Sequence, residues 1–277
     1  MTAAIAASVD QLASNLAGVR RGEDVEAVHQ ARVAIRRLRS DVRTFGALLD
    51  TERLAPVQDE LRWFGTVLGA VRDLDVLLET LISLIAESEV GAAEAAPLLS
   101  WFRRQRRGAR GRLVEAVDSE RSARLMAELA ELSHHLPTTK RADRPAHDLL
   151  PKLVSRRWRR LRRAVEALSP EASHADLHEV RILAKRCRYA ADAVRPTLGP
   201  QAKKLSKVMA GIQESLGTIN DAVVIDLRLR EAADAEPGTA YVAGQLSGLL
   251  LARATTARRQ FERVWAELTA DDVLADW

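Results

Sequence analysis

An all-α fold is what this sequence predicts, and three observations predict it. Ala, Leu and Arg, all strong helix formers, are abundant, while 277 residues hold only 14 Gly and 9 Pro. Apolar residues recur at steps of three and four along most of the chain, the period of a helix with one buried face. Strand signals are absent.

The elements follow from the punctuation. Prolines at 56, 97, 137, 145, 151, 170, 196, 200 and 237 divide the chain. Helices are expected at about 4–20, 25–50, 54–88, 92–118, 121–134, 147–169, 174–196, 201–232 and 239–268. The opening stretch "MTAAIAASVDQLASNLAGVRR" reads as a helix: it lacks the cationic start and continuous apolar core of a signal peptide. Ser173, with Asp176 three residues on, is a capping arrangement that opens the helix at 174. "LPTTKRADRPAHD", 136–148, is polar, holds two prolines and lacks a helical period, so it is the linker.

Composition bounds the rest. A hydrophobic fraction of 47% supports a real core and argues against disorder. No apolar run approaches the ~20 residues that span a bilayer. Cys187 is the only cysteine, so no internal disulfide forms, which fits a reducing cytosol. A soluble, cytoplasmic protein is expected. The net charge is only +4, from 42 Lys+Arg against 38 Asp+Glu. The placement of the charges matters more than their sum.

The chain repeats itself. "VHQARVAIRRLRS" from residue 28 aligns with "LHEVRILAKRCRY" from 177. His29 meets His178, Arg32 meets Arg181, Arg36 meets Lys185, Arg37 meets Arg186 and Arg39 meets Arg188. Further on, Arg104 meets Arg253 and Arg110 meets Arg259. "LGAVRD" from 68 meets "LGTIND" from 216, one residue out of step with the earlier alignment. The order is the same in both halves, so the reading is a tandem duplication. Residues 1–140 and 145–277 are its two repeats, each a bundle of about four helices with short antiparallel connections.

Each repeat has a helix with two stripes. In the first, Val28, Ala31, Ile35, Leu38, Val42, Phe45 and Leu49 form an apolar seam. His29, Arg32, Arg36, Arg39 and Arg43 follow the same steps one residue later, about 100° around the helix. In the second, Leu177, Val180, Ala184, Cys187, Ala191 and Val194 form the seam, and His178, Arg181, Lys185 and Arg188 the stripe. Arg37 and Arg186 flank the stripes. Cys187 takes the place of Leu38 and reads as an apolar filler. Like charges four residues apart repel by a few tenths of a kcal/mol per pair. Acidic neighbours or an external anion must offset this.

The doubled pattern His-x-x-Arg-x-x-x-Arg/Lys-Arg-x-Arg, followed each time by Leu-Gly-x-x-x-Asp, resembles the CHAD domain, the conserved histidine α-helical domain. The resemblance covers nearly the whole chain. It implies two tandem four-helix bundles related by pseudo-twofold symmetry, and a basic central groove that binds inorganic polyphosphate. Carried across by motif, the polyphosphate-binding positions are His29, Arg32, Arg36, Arg37, Arg39, His178, Arg181, Lys185, Arg186 and Arg188. Arg43, Arg104, Lys203, Lys207 and Arg253 extend the basic surface. Polyphosphate granules are the location this likeness implies. CHAD domains are often joined to a triphosphate-tunnel domain; this chain leaves no room for one, so no triphosphatase activity is expected.

Arginine suits such a ligand, because its planar fork makes paired hydrogen bonds to adjacent phosphate oxygens. Nucleic acids and nucleotides are the alternative polyanions. Base stacking needs exposed aromatics, and aromatics are only 4% of this chain. No catalytic residue, cofactor or metal is expected. The histidines sit among cations with no carboxylate pattern for Mg²⁺ nearby. His174 and His178 have a ligand-like spacing but no third partner, and His134 and His135 point apart on a helix. A histidine beside bound phosphate gains its proton more readily. Polyphosphate is therefore expected to bind more tightly near pH 6 than near pH 8 in matched salt, and equal affinities by titration contradict a contact through the histidines.

Overall fold

The computed structural model describes residues 1–22 and 25–270; the last residues of the expected 145–277 repeat lie outside the described ones. Eight α-helices are described: α1 (Thr2–Arg21), α2 (Val25–Thr44), α3 (Thr51–Ala86), α4 (Ala92–Val117), α5 (Glu120–His134), α6 (Ala146–Glu166), α7 (His174–Ala235) and α8 (Ala240–Ala270). Two compact units contain them, Met1–Ser83 with Leu99–Asp143 and Leu84–Leu98 with Arg144–Trp277. In the first, α1 packs on α2 and α5; in the second, α7 packs on α6 and α8.

The prolines do less breaking than their spacing suggests. Pro56, Pro97 and Pro151 lie inside the second turns of α3, α4 and α6. There a proline removes only one early backbone hydrogen bond. Pro196 and Pro200 flank a break within α7, where the helices expected at 174–196 and 201–232 meet. Its interruption is Gly199, at φ 60 and ψ −130. A side chain opposes a positive φ, so glycine is the residue that can turn the chain here. α7 opens on the expected capping box: the Ser173 hydroxyl accepts from the Asp176 backbone N–H at 3.3 Å, and the Asp176 carboxylate accepts from the Ser173 N–H at 2.9 Å. The Ser173 hydroxyl, which also donates to the Asp176 carboxylate at 2.6 Å, and then the Ser173 N–H hold that carboxyl below its ordinary range.

α2 ends at Thr44 rather than at 50. Residues 48–50 pair instead with the front of the expected linker. Asp50 N–H donates to Pro137 O at 3.0 Å, and Thr139 N–H donates to Leu48 O at 2.9 Å, around the bridge between Leu49 and Thr138. A backbone that pairs across to another segment cannot also continue a helix. A 3-10 turn at Lys140–Asp143 follows, so 136–148 is partly ordered structure and not a free tether.

In each unit an arginine of a later helix reaches backbone carbonyls, at the end of α1 in the first and in the loop before α7 in the second. In the first, the Arg110 guanidinium on α4 donates to the backbone carbonyls of Val19 and, at 3.3 Å, Arg20. It sits over Gly22, which closes α1 in the left-handed region at φ 81. In the second, Arg258 on α8 donates to Ala172 O at 3.2 Å and Pro170 O at 2.6 Å, just beyond α6. Carbonyls near a helix C-terminus lack intrahelical partners and carry partial negative charge, so a guanidinium suits them. Replacing Arg110 by Met is expected to cost about 1–2 kcal/mol in urea unfolding, the loss of a charge-assisted bond to backbone carbonyls; an unchanged midpoint would refute the capping role.

Candidate anion-binding site

The site begins with a seam that anchors its cations. Every expected seam residue of α2 and its following turn is buried: Val28, Ala31, Ile35, Leu38, Val42, Phe45 and Leu49. So are Leu177, Val180, Ala184, Cys187, Ala191 and Val194 in α7. Side chains one residue along are thereby held at the boundary between core and solvent. His29, Arg32, Arg36 and Arg39 are half-buried, as are His178, Arg181, Lys185, Arg186 and Arg188. Arg37 and Arg43 are exposed.

In the first unit the stripe lies over α3. Arg32 Nη1 donates to Gly69 O at 3.0 Å and to Asp73 Oδ1 at 2.7 Å. A Cβ at Gly69 would stand 3.0 Å from that nitrogen, and a Cβ at Gly65, one turn earlier, 3.2 Å from Ile35 Cγ2 and 3.8 Å from Arg39 Nη1. The two glycines let α2 and its arginines lie close to α3. The leucine-glycine-x-x-x-aspartate segment therefore has a clear local role here: its glycine makes room for Arg32 and its aspartate holds it.

Further along, burial and like charge act together. Burial first, and then the charge of Arg62, lowers the pKa of the Arg39 guanidinium from its ordinary value. Burial first, and then Arg39, lowers that of Arg43. Arg62 belongs to this cluster and was missed by the sequence reading, because it lies on α3, outside the repeated motif. It also pairs with Asp59 at 2.9 Å. Arg37 points to the other flank, where it donates to Gln11 Oε1 on α1 at 3.3 Å.

The second unit is wired differently. His178 Nδ1 lies 2.7 Å from Asn220 Oδ1. Arg188 Nε lies 3.7 Å from Asp192 Oδ2, within ion-pair range but beyond hydrogen-bonding reach, and Ser206 Oγ donates to the other carboxylate oxygen at 2.6 Å. Gln213 stands where the first unit has Gly65 and donates to Ala184 O at 3.4 Å. Lys203 and Lys207 are exposed on α7 beyond Gly199. Arg253 forms an ion pair with Glu87, beside a cavity lined in part by Gly211, Ser215 and Thr256. Arg104 is exposed and donates to Ser100 Oγ at 3.2 Å, so these two aligned arginines have different surroundings.

Trp101 and Trp158 are buried, and Trp158 and Trp265 pack with ring centroids 5.6 Å apart. Trp63 lies beneath the Arg121 guanidinium at 4.0 Å. Among the described residues no cluster of three or more His, Cys, Asp or Glu could hold a metal ion, and no helix is long and apolar enough to cross a membrane.

Comparison with known proteins agrees with this architecture. The CHAD domain profile matches residues 3–230. Two uncharacterized proteins of Mycobacterium tuberculosis, MT2285 of strain CDC 1551 / Oshkosh and Rv2226 of strain H37Rv, are each 29% identical over 214 residues. The match covers 74% of this chain and 40% of theirs, so this chain spans about two-fifths of those relatives. Among solved structures, PptA from Streptomyces chartreusis superposes with a TM-score of 0.78 at 26% identity, covering 96% of this chain and 97% of that one. The CHAD domain from the plant Ricinus communis superposes with a TM-score of 0.77 at 28% identity, covering 97% and 90%.

Cys187 sits in the seam fully enclosed, and burial pushes its thiol up to about 12, against a smaller opposing effect of Arg157. A thiol reacts as the thiolate. A disulfide reagent at pH 8 is expected to leave Cys187 unmodified in the folded chain and to label it on unfolding in urea. Rapid labelling of native protein would show that this seam opens.

Proposed function

The chain belongs to the CHAD domain family, and on that footing we propose that it binds inorganic polyphosphate, without chemistry, along the cationic stripes of α2 and of α7 before Gly199. The observation that carries the reading is the row of half-buried cations, His29, Arg32, Arg36 and Arg39, set beside the buried seam of α2, with a matching row at His178, Arg181, Lys185 and Arg188. Like charges spaced three and four residues apart cost a helix stability. An anion laid along the stripe reverses the sign.

Polyphosphate supplies such an anion as a flexible line of charge with no bases or sugars. The proposed contacts are His29, Arg32, Arg36, Arg37 and Arg39 in the first repeat, and His178, Arg181, Lys185, Arg186 and Arg188 in the second. Arg43 and Arg62 extend the first set. Arg253 pairs with Glu87, as Arg32 does with Asp73 and Arg62 with Asp59, so an anion at any of the three competes with a carboxylate. Imidazoles among guanidiniums suit charge recognition rather than catalysis. The buried seams of α2 and α7, each beside half-buried cations in the same order, support the reading of two repeats, 1–140 and 145–277. Accumulation at polyphosphate granules is the corresponding cellular proposal. Nucleic acid is the competing ligand class; the burial of Trp101 and Trp158 gives base stacking little to use.

Removing cations from either stripe tests the reading. Arg32→Ala/Arg36→Ala and Arg181→Ala/Lys185→Ala are each expected to weaken long-chain polyphosphate binding roughly 10- to 100-fold at low salt. Each is also expected to flatten the salt dependence by about 0.7 per lost contact, since fewer counterions are released. Wild-type affinity and slope in both variants would overturn the proposal.

A further inference from the structure

We propose that Asn220 is a positioning residue for His178, fixing the imidazole as its Nδ1–H tautomer and leaving Nε2 as the ring nitrogen available to a ligand. The contact spans 42 residues of sequence, from the start of α7 to the arm beyond Gly199, at 2.7 Å. The roles of the two groups follow from a third. Asn220 Nδ2 donates to Asp221 Oδ1 at 3.3 Å, and a carboxylate only accepts. The amide is thereby oriented with Oδ1 toward the ring, and an amide oxygen also only accepts. The ring must donate through Nδ1–H.

This arrangement suits an anion. In the neutral Nδ1–H ring, Nε2 carries a lone pair. When Nε2 takes a proton it becomes a donor, while the bond from Nδ1–H to Asn220 is kept. The ring can therefore charge without turning. For its contact with phosphate this rests on the function proposed above.

The first repeat lacks the device. Arg72 stands in the place of Asn220 and reaches Glu79 at 3.3 Å, while Asp73, the counterpart of Asp221, is bonded to Arg32. The same aspartate of the repeated segment thus orders a guanidinium in one half and, through Asn220, an imidazole in the other.

Long-range ¹H–¹⁵N spectra of histidine-labelled protein, with His178 assigned through His178→Gln, test this directly. The wild type should show the Nδ1–H tautomer at neutral to mildly alkaline pH. Asn220→Asp should keep it, because a carboxylate accepts the same bond, and Asn220→Leu should lose it. Asn220→Leu should also weaken polyphosphate binding about 3- to 10-fold, with no further loss in the His178→Gln background. An Nε2–H tautomer in the wild type, unchanged ring nitrogens in Asn220→Leu, or an equal loss of binding without His178 would overturn the proposal. If His178→Gln binds polyphosphate as the wild type does, the phosphate contact at His178 falls, while the spectra still decide the role of Asn220 in ordering the ring.

Discussion

Everything at this site depends on one constraint: a single helix face must bury an apolar seam while the face about 100° away carries cations. The seam is what fixes the position. Val28, Ala31, Ile35 and Leu38 are at most 2% exposed, so α2 cannot rotate without withdrawing them from the core. The arginines beside them are thereby kept half in the protein, where their charges are less screened than on an open surface. Burial of the seam thus sets Arg39 at the edge of the core, where burial first and then the charge of Arg62 act on its guanidinium.

The two repeats use the constraint with different polar wiring. Around the first stripe, glycines at 65 and 69 admit close approach of the arginines, and Asp73 pins Arg32. Around the second, Gln213 fills the place of Gly65, and an added cβ at Gly217 would meet nothing within 4 Å. Here Asn220 and Asp221 order His178 instead. The seam and the order of the cations recur in both halves of the chain, while the supporting contacts differ. Such a difference is expected where a seam supplies position and local hydrogen bonds supply orientation.

The parts legible in the sequence were the periodic ones. The seam residues of both repeats are buried as their spacing required, and Ser173 caps α7 as its neighbours suggested. The parts that were not legible depend on partners distant in the chain. α2 stops at Thr44 because residues 48–50 pair with 137–139, a competition invisible in the helical period of 25–50. Arg110 looks like a member of a charged run, and only the carbonyls it reaches reveal it as a cap. Arg62 escaped notice because it joins the stripe from α3, and Asn220 because a single side chain 42 residues away carries no pattern.

The most direct test of the central claim is a competition titration of long-chain polyphosphate against RNA and single-stranded DNA, at equal phosphate concentration and two salt concentrations. A site that recognises a bare line of phosphates is predicted to hold polyphosphate in preference to both, at both salt concentrations, with every affinity falling as salt rises. Equal displacement by RNA or DNA would contradict the account and assign the stripes to nucleic-acid backbones.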